Sequence, residues 1–234
     1  MILLIKLFLA HILGDFFLQP FSWVKDKEAK KLKSVKFYFH IATHFALLFL
    51  ILFDITLWPL ILVIGVSHFI IDTIKLLFQK EKTKRWWFFI DQFLHVTAII
   101  LAYVFFVDSH IFDDFKIENM LLLITCLLFL TYPISIIMQV IFAKWNIEAL
   151  TKGDKSLEDA GKYIGILERL LVFVFIVSNH WGAVGFLITA KSVFRFGDLR
   201  ESKDRKLTEY VLIGTLISFS IAIAVGLLFN YTAH

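Results

Sequence analysis

Residues 1–20 read MILLIKLFLAHILGDFFLQP. Most of the stretch is apolar enough to enter a membrane, yet His11, Asp15 and Gln19 stand four residues apart within it. At about 100° per residue, a four-residue step returns to nearly the same helix face, so the three form a stripe. A polar stripe on a membrane helix is tolerable only where other helices bring polar groups to meet it. Three later segments do so: HIATH with His40 and His44, SHFIIDTIK with His68 and Asp72, and DQFLH with Asp91 and His95.

Composition sets the class. The chain has 234 residues, of which 59% are hydrophobic and 17% aromatic, with mean hydropathy +0.79. Soluble domains are about 45–50% apolar, so the expectation is an all-α, polytopic integral membrane bundle. A span needs about 20 apolar residues. Eight helices are expected, at about 2–19, 36–57, 59–79, 86–107, 118–143, 160–178, 181–196 and 208–230, or seven if the short seventh is re-entrant. Pro20 ends the first, Pro59 opens the third and Pro133 kinks the fifth. The first helix lacks the basic start and small-residue cleavage site of a signal peptide and reads as retained. A lone cysteine, Cys126, excludes an internal disulfide.

Lysine and arginine then set the topology. They cluster in 20–36 (Lys25, Lys27, Lys30, Lys31, Lys33, Lys36), 80–85 (Lys80, Lys82, Lys84, Arg85), 144–162 (Lys144, Lys152, Lys155, Lys162) and 195–207 (Arg195, Arg200, Lys203, Arg205, Lys206). These are alternate connections, which the positive-inside rule places in the cytoplasm. The other connections are the turn near Trp58, the acidic loop Asp108 to Glu118 with Lys116, and the turn at Asn179 and His180. Both termini are therefore expected outside the cytoplasm. Trp23, Trp58, Trp86, Trp87, Trp145 and Trp181 all fall at expected helix ends, as interfacial rings do. Two halves are expected within one membrane domain: 1–107 with the His/Asp pairs, and 108–234 with a Glu/Arg/Lys cluster.

With that topology all four i, i+4 pairs fall at one depth, near the cytoplasmic side. Such a pair can reach one ion from a single helical turn. Five imidazoles (His11, His40, His44, His68, His95) and three carboxylates (Asp15, Asp72, Asp91) exceed the four ligands of one structural zinc. The surplus suits two divalent ions, zinc first, or one ion with a general base, Asp15 or Asp91, and supporting partners. Gln19 and Gln92 would orient ligands or substrate, and Lys75 would offset carboxylate charge or hold a phosphate. A proton or ion pathway and a self-satisfied polar network are the alternatives.

The blocks AHILGDFFLQPFSWVKDK, HIATH, SHFIIDTIK and DQFLH, with GKYIGILERLLVF, AKSVFRFGDL and TEYVLIGTLIS, resemble the bacterial membrane family known as domain of unknown function 3307. The resemblance covers nearly the whole chain and implies no established activity. HILGDFFLQP is also similar to the HxxGDxxQP-like motif of phospholipase C-type zinc phosphoesterases and nucleases. It has one residue more between Asp15 and Gln19, and the N-terminal Trp ligand of the phospholipases is missing. That second resemblance implies His11, Asp15, His68 and Asp72 as zinc ligands.

The second half carries Glu168 and Arg169 in one helix, Lys191 and Arg195 in the next and Glu209 at the start of the last. Arg169, Lys191 and Arg195 suit either phosphate binding, with Glu168 and Glu209 in support, or an ion-pair network. The sequence thus points to a membrane metal-dependent hydrolase acting from the cytoplasmic side on a phosphate ester of a lipid or lipid-linked molecule. The competing readings are a transporter of ions, metal or protons and a non-enzymatic protein with a structural polar core. No nucleic-acid partner is expected; protein partners and oligomeric state are not legible.

Overall fold

A computed structural model describes residues 2–106, 119–143, 160–202 and 205–233, with side chains throughout except at 119, 160, 194–202 and 205–208. The acidic loop from Asp108 to Glu118 and the basic connection holding Lys144, Trp145, Lys152 and Lys155 lie outside the described residues, as does the Arg195 side chain. The described chain is helical, and no strand occurs in it. It divides into two units, Met1–Thr125 and Cys126–His234.

The first unit is built on α1 (Ile2–Ile12), α2 (Phe21–Lys30), α3 (Val35–Leu52), α4 (Trp58–Phe78) and α5 (Lys84–Phe106). Helix α1 does not run straight to Gln19. It widens into a π turn over Leu13–Phe17, closed by the Leu18 amide donating to Leu13 O at 2.8 Å. Pro20 then starts α2, which turns away by 81°. Residues expected in a basic connection thus form a helix of their own. Ser34 ties its far end: the hydroxyl caps α3 by accepting from the Phe37 amide at 3.3 Å and donates to Asp26 at 2.6 Å.

Helices α1, α3, α4 and α5 bury a common apolar cluster. It takes Leu7 and Ala10 from α1, Leu48 and Leu52 from α3, Leu60, Ile61 and Ile64 from α4, and Ile99, Ala102 and Tyr103 from α5. Early residues of α4 meet late residues of α3 and α5, as antiparallel neighbours do, and α1 packs alongside. A second cluster, Phe37, Ile41 and Leu76, uses the opposite ends of α3 and α4. His68 and Asp72 lie between the two clusters along α4.

The second unit holds α7 (Tyr132–Phe142), α8 (Ala160–Val177), α9 (Trp181–Ser202) and α10 (Arg205–Ala233), with α6 (Asn119–Leu130) crossing the boundary. Pro133 cannot donate to the helical ladder, and the chain breaks beside it at Thr131, whose backbone sits at φ −88°, ψ −105°. Buried Val172, Phe173 and Ile176 of α8 accompany buried Phe219, Ala222 and Phe229 of α10. A methyl group on Gly226 would stand 2.7 Å from Ile176, so the two helices touch nearly backbone to side chain there.

Among the described residues, five helical stretches are long and apolar enough to cross a membrane: Val35–Leu52, Ile55–Phe78, Glu81–Phe106, Met120–Phe142 and Glu209–Ala233. The bent pair Ile2–Phe17 and Phe21–Lys33 makes six if it is one span. Two of the eight expected spans are not among these. Helix α8 carries Lys162, Glu168 and Arg169 within 18 residues, and α9 is apolar only over Trp181–Val193.

Candidate metal centre

One side chain sets the geometry. Asp15 stands on the π turn, where the wider winding carries its carboxylate to the middle of the first unit. There Asp15 Oδ1 lies 3.0 Å from His44 Nε2, 3.4 Å from His40 Nε2 and 3.6 Å from His68 Nε2. Asp15 Oδ2 lies 3.8 Å from His11 Nε2 and accepts from the Gln92 amide at 2.9 Å. Single π turns inside helices recur at functional sites. Gly14 makes this one possible, since a Cβ there would stand 2.4 Å from the His44 ring.

The other two carboxylates complete the layer. Asp72 faces His40 and His95, each at 3.5 Å, and Asp91 faces His95 at 3.4 Å. His68 and His40 point Nε2 at each other, 3.2 Å apart. His68 is stacked between His44 and His95, with ring centroids 3.8 and 4.0 Å away. His40, His44, His68, His95, Asp72 and Asp91 are each at most 4% exposed, so water satisfies almost none of this polarity. His40 Nδ1, His95 Nε2 and Asp91 Oδ1 are buried without a hydrogen-bond partner. Buried polar atoms are rarely left so.

Two lysines enter the layer. Lys75 donates to Asp91 at 2.7 Å, so it offsets carboxylate charge and is not free for a phosphate. Lys27, only 6% exposed, donates to Asp72 at 3.0 Å. Sequence reasoning missed Lys27, placing it in a connection among five other lysines. The available signal was its position: Trp23, Val24 and Lys27 share one face if 21–30 is a helix. Gln92 joins the layer through Asp15, Asp91 and, at 3.4 Å, His11. Gln19 does not: its buried amide nitrogen finds no partner.

Three overlapping sets can each bring their ligand atoms within 4.8 Å of one another: His11, Asp15, His44 and His68; His40, His68 and Asp72; and Asp15, Asp91 and His95. A small cavity of about 10 Å³, room for about one water, is lined by His11, His44, His68 and His95 together with Ser67. Leu7, Leu48, Ile64 and Ile99 close its far side.

Two of the residues expected to bind phosphate in the second unit, Arg169 and Lys191, have partners of their own. Arg169 spends its guanidinium on the break between α6 and α7. Nε donates to Leu130 O at 2.7 Å, and Nη2 donates to Thr131 O at 3.2 Å and Ser135 Oγ at 2.8 Å. Nη1 reaches Ser218 Oγ at 3.4 Å. The break frees carbonyls that a continuous helix would use, and the guanidinium fork takes them. The guanidinium expected to bind phosphate is thus engaged by the chain's own oxygens. Lys191 is paired with Glu168, as an ion-pair network requires. Glu209 lies exposed at the start of α10.

Fold and centre together define a class: a helical protein with membrane-length apolar helices, built in its first unit around buried imidazoles, carboxylates and lysines. Within that class the chain belongs to the family described as Protein of unknown function (DUF3307), whose model matches residues 3–124. The matched stretch contains all eight His and Asp residues of the layer and ends beside the unit boundary. No curated protein and no solved structure matches the chain significantly, and the likeness of HILGDFFLQP to zinc phosphoesterases gains no support there.

Proposed function

We propose that the first unit is a divalent-metal centre in a bacterial inner-membrane protein, and that it hydrolyses a phosphate ester of a lipid or lipid-linked molecule. The observation that carries the reading is the spacing of the inward-facing atoms. Four donors about 2.0–2.1 Å from a zinc ion stand about 3.3–3.4 Å apart. The contacts of the Asp15 carboxylate with the imidazoles run from 3.0 to 3.8 Å, and His68 to His40 is 3.2 Å. Imidazole and carboxylate together suit zinc best.

A bound metal would supply an acidified water and polarise a phosphoryl oxygen. The chain's own residues do the rest. His95 lines the cavity and its Nε2 faces Asp72 and Asp91, which places it to hold and donate a proton, whereas Asp91 is itself held by Lys75. Gln92 fixes the Asp15 carboxylate. The apolar cluster on one side of the layer interrupts any polar track through the bundle, which favours a site opened from one face over a transport path. With the basic segments cytoplasmic, that face is the inner leaflet.

The two lysine–aspartate pairs favour one competing reading, a structural polar core. Elemental analysis of the purified full-length protein separates them, with His11→Ala and His68→Ala as controls. Bound divalent metal, lost in both variants, is the expected result; wild-type protein free of metal under conditions that retain it in known zinc proteins would sink the proposal. Phosphate release from bacterial lipid extracts then tests the hydrolase. Absence of turnover by the metal-loaded protein would leave a metal centre without that activity.

A further inference from the structure

We infer that the centre holds a single metal ion, bound by His11, Asp15, His44 and His68, and that Lys27 and Lys75 stand as built-in cations where further metals would otherwise sit. The inference rests on the metal-centre reading above and deepens it by assigning number and ligands.

Charge makes the first argument. Asp72 carries the Lys27 ammonium at 3.0 Å and Asp91 carries the Lys75 ammonium at 2.7 Å. Among the described residues Asp15 has no ammonium within ion-pair distance; imidazoles and the Gln92 amide surround it. Lys27 and Lys75 thus stand against Asp72 and Asp91, and Asp15 is the carboxylate of the three left without an ammonium partner among the described residues. A buried charge left unpaired is strongly unfavourable, and a divalent ion placed against Asp15 would pair it. A second ion beside Asp72 or Asp91 would instead meet an ammonium group already in contact with its ligand.

Space makes the second argument independently. Of the three ligand sets, that of His11, Asp15, His44 and His68 supplies three of its members, the histidines, to the wall of the cavity. The set of His40, His68 and Asp72 supplies only His68 to it, and the set of Asp15, Asp91 and His95 only His95. A metal ligated by the first set would therefore have the open volume, and with it a water, directly beside it. Asp72 becomes a support for His40 and His95 through its contacts at 3.5 Å, in place of the ligand that the phosphoesterase likeness implied.

The test is metal stoichiometry on the full-length protein in detergent, loaded with zinc and dialysed. The expected result is one ion per chain, lost in Asp15→Asn and kept in the charge-neutral double variants Lys27→Met/Asp72→Asn and Lys75→Met/Asp91→Asn. Two ions per chain in the wild type, or loss in the Asp72 double variant with retention in Asp15→Asn, would overturn the inference and leave the metal reading standing. No ion in the wild type would overturn both. X-ray absorption at the zinc edge of the wild type needs no variant: a shell of nitrogen and oxygen neighbours alone supports the assignment, and a metal neighbour at about 3.5–4 Å, the spacing of two-metal sites, refutes it.

Discussion

At the scale of single residues, the centre depends on one glycine and one lysine that do not touch the proposed ion. Gly14 lets the π turn approach α3, and a methyl group there collides with the His44 imidazole at 2.4 Å. Either the ring swings away or the turn relaxes, and both spoil the Asp15–His44 contact. Gly14→Ala is expected to weaken metal binding at least about tenfold, in line with changes next to a metal's ligands, as read by competition with a chelator. Lys27 acts through Asp72. Removing one partner of a buried pair costs about 3–5 kcal/mol, whereas removing both is often close to neutral. Lys27→Met should therefore lower thermal stability in detergent far more than Lys27→Met/Asp72→Asn does. Equal losses in the two variants would show that the ion pair is not what holds α2 down.

At the scale of elements, the helix-spaced pairs were legible in the sequence, because an i, i+4 step fixes a face whatever the rest of the fold does. A common depth was expected from the charges of the connections, and the structure brings all eight residues into contact with one another. The π turn was not legible. Nothing in LGDFF separates a π turn from an α turn, since the preference arises from what His44 and its neighbours offer Asp15 after packing. The α2 helix was missed for a related reason: a lysine-rich segment between two apolar runs reads as a connection until burial singles out one lysine. The break at Pro133 was foreseen as a kink, but its partner was not. Arg169 looked like a phosphate ligand because sequence gives its charge and not the freed carbonyls it meets. Arg169→Met leaves Leu130 O and its neighbours without that donor, at about 1–3 kcal/mol for each buried group orphaned. A lower melting temperature with unchanged metal content is the expected outcome. Arg169→Lys should restore only part of it, because one ammonium cannot span the positions the fork reaches. Loss of metal in a folded Arg169→Met protein would tie the second unit to the centre.

At the scale of the whole molecule, the class was legible from composition alone, since so apolar a chain has few soluble alternatives. The number of spans was not. Hydropathy windows counted α8 and α9, yet Glu168, Arg169 and Lys191 load them with charge that finds partners only once the second unit has folded. The same contrast separates the two units chemically. Every imidazole and carboxylate of the centre, and both lysines that neutralise it, come from residues before the boundary at Thr125, and the family match ends beside that boundary. The apolar cluster that seals the layer, Leu7 to Tyr103, lies in the first unit too. Among the described residues, none that the proposed ion requires lies in α7, α8, α9 or α10. A chain ended at Thr125 and purified in detergent is therefore expected to hold as much metal per chain as the full-length protein, with the same sensitivity to Asp15→Asn. A truncated protein that elutes as a discrete species but holds no metal would contradict this, and would mean that the second unit completes the centre.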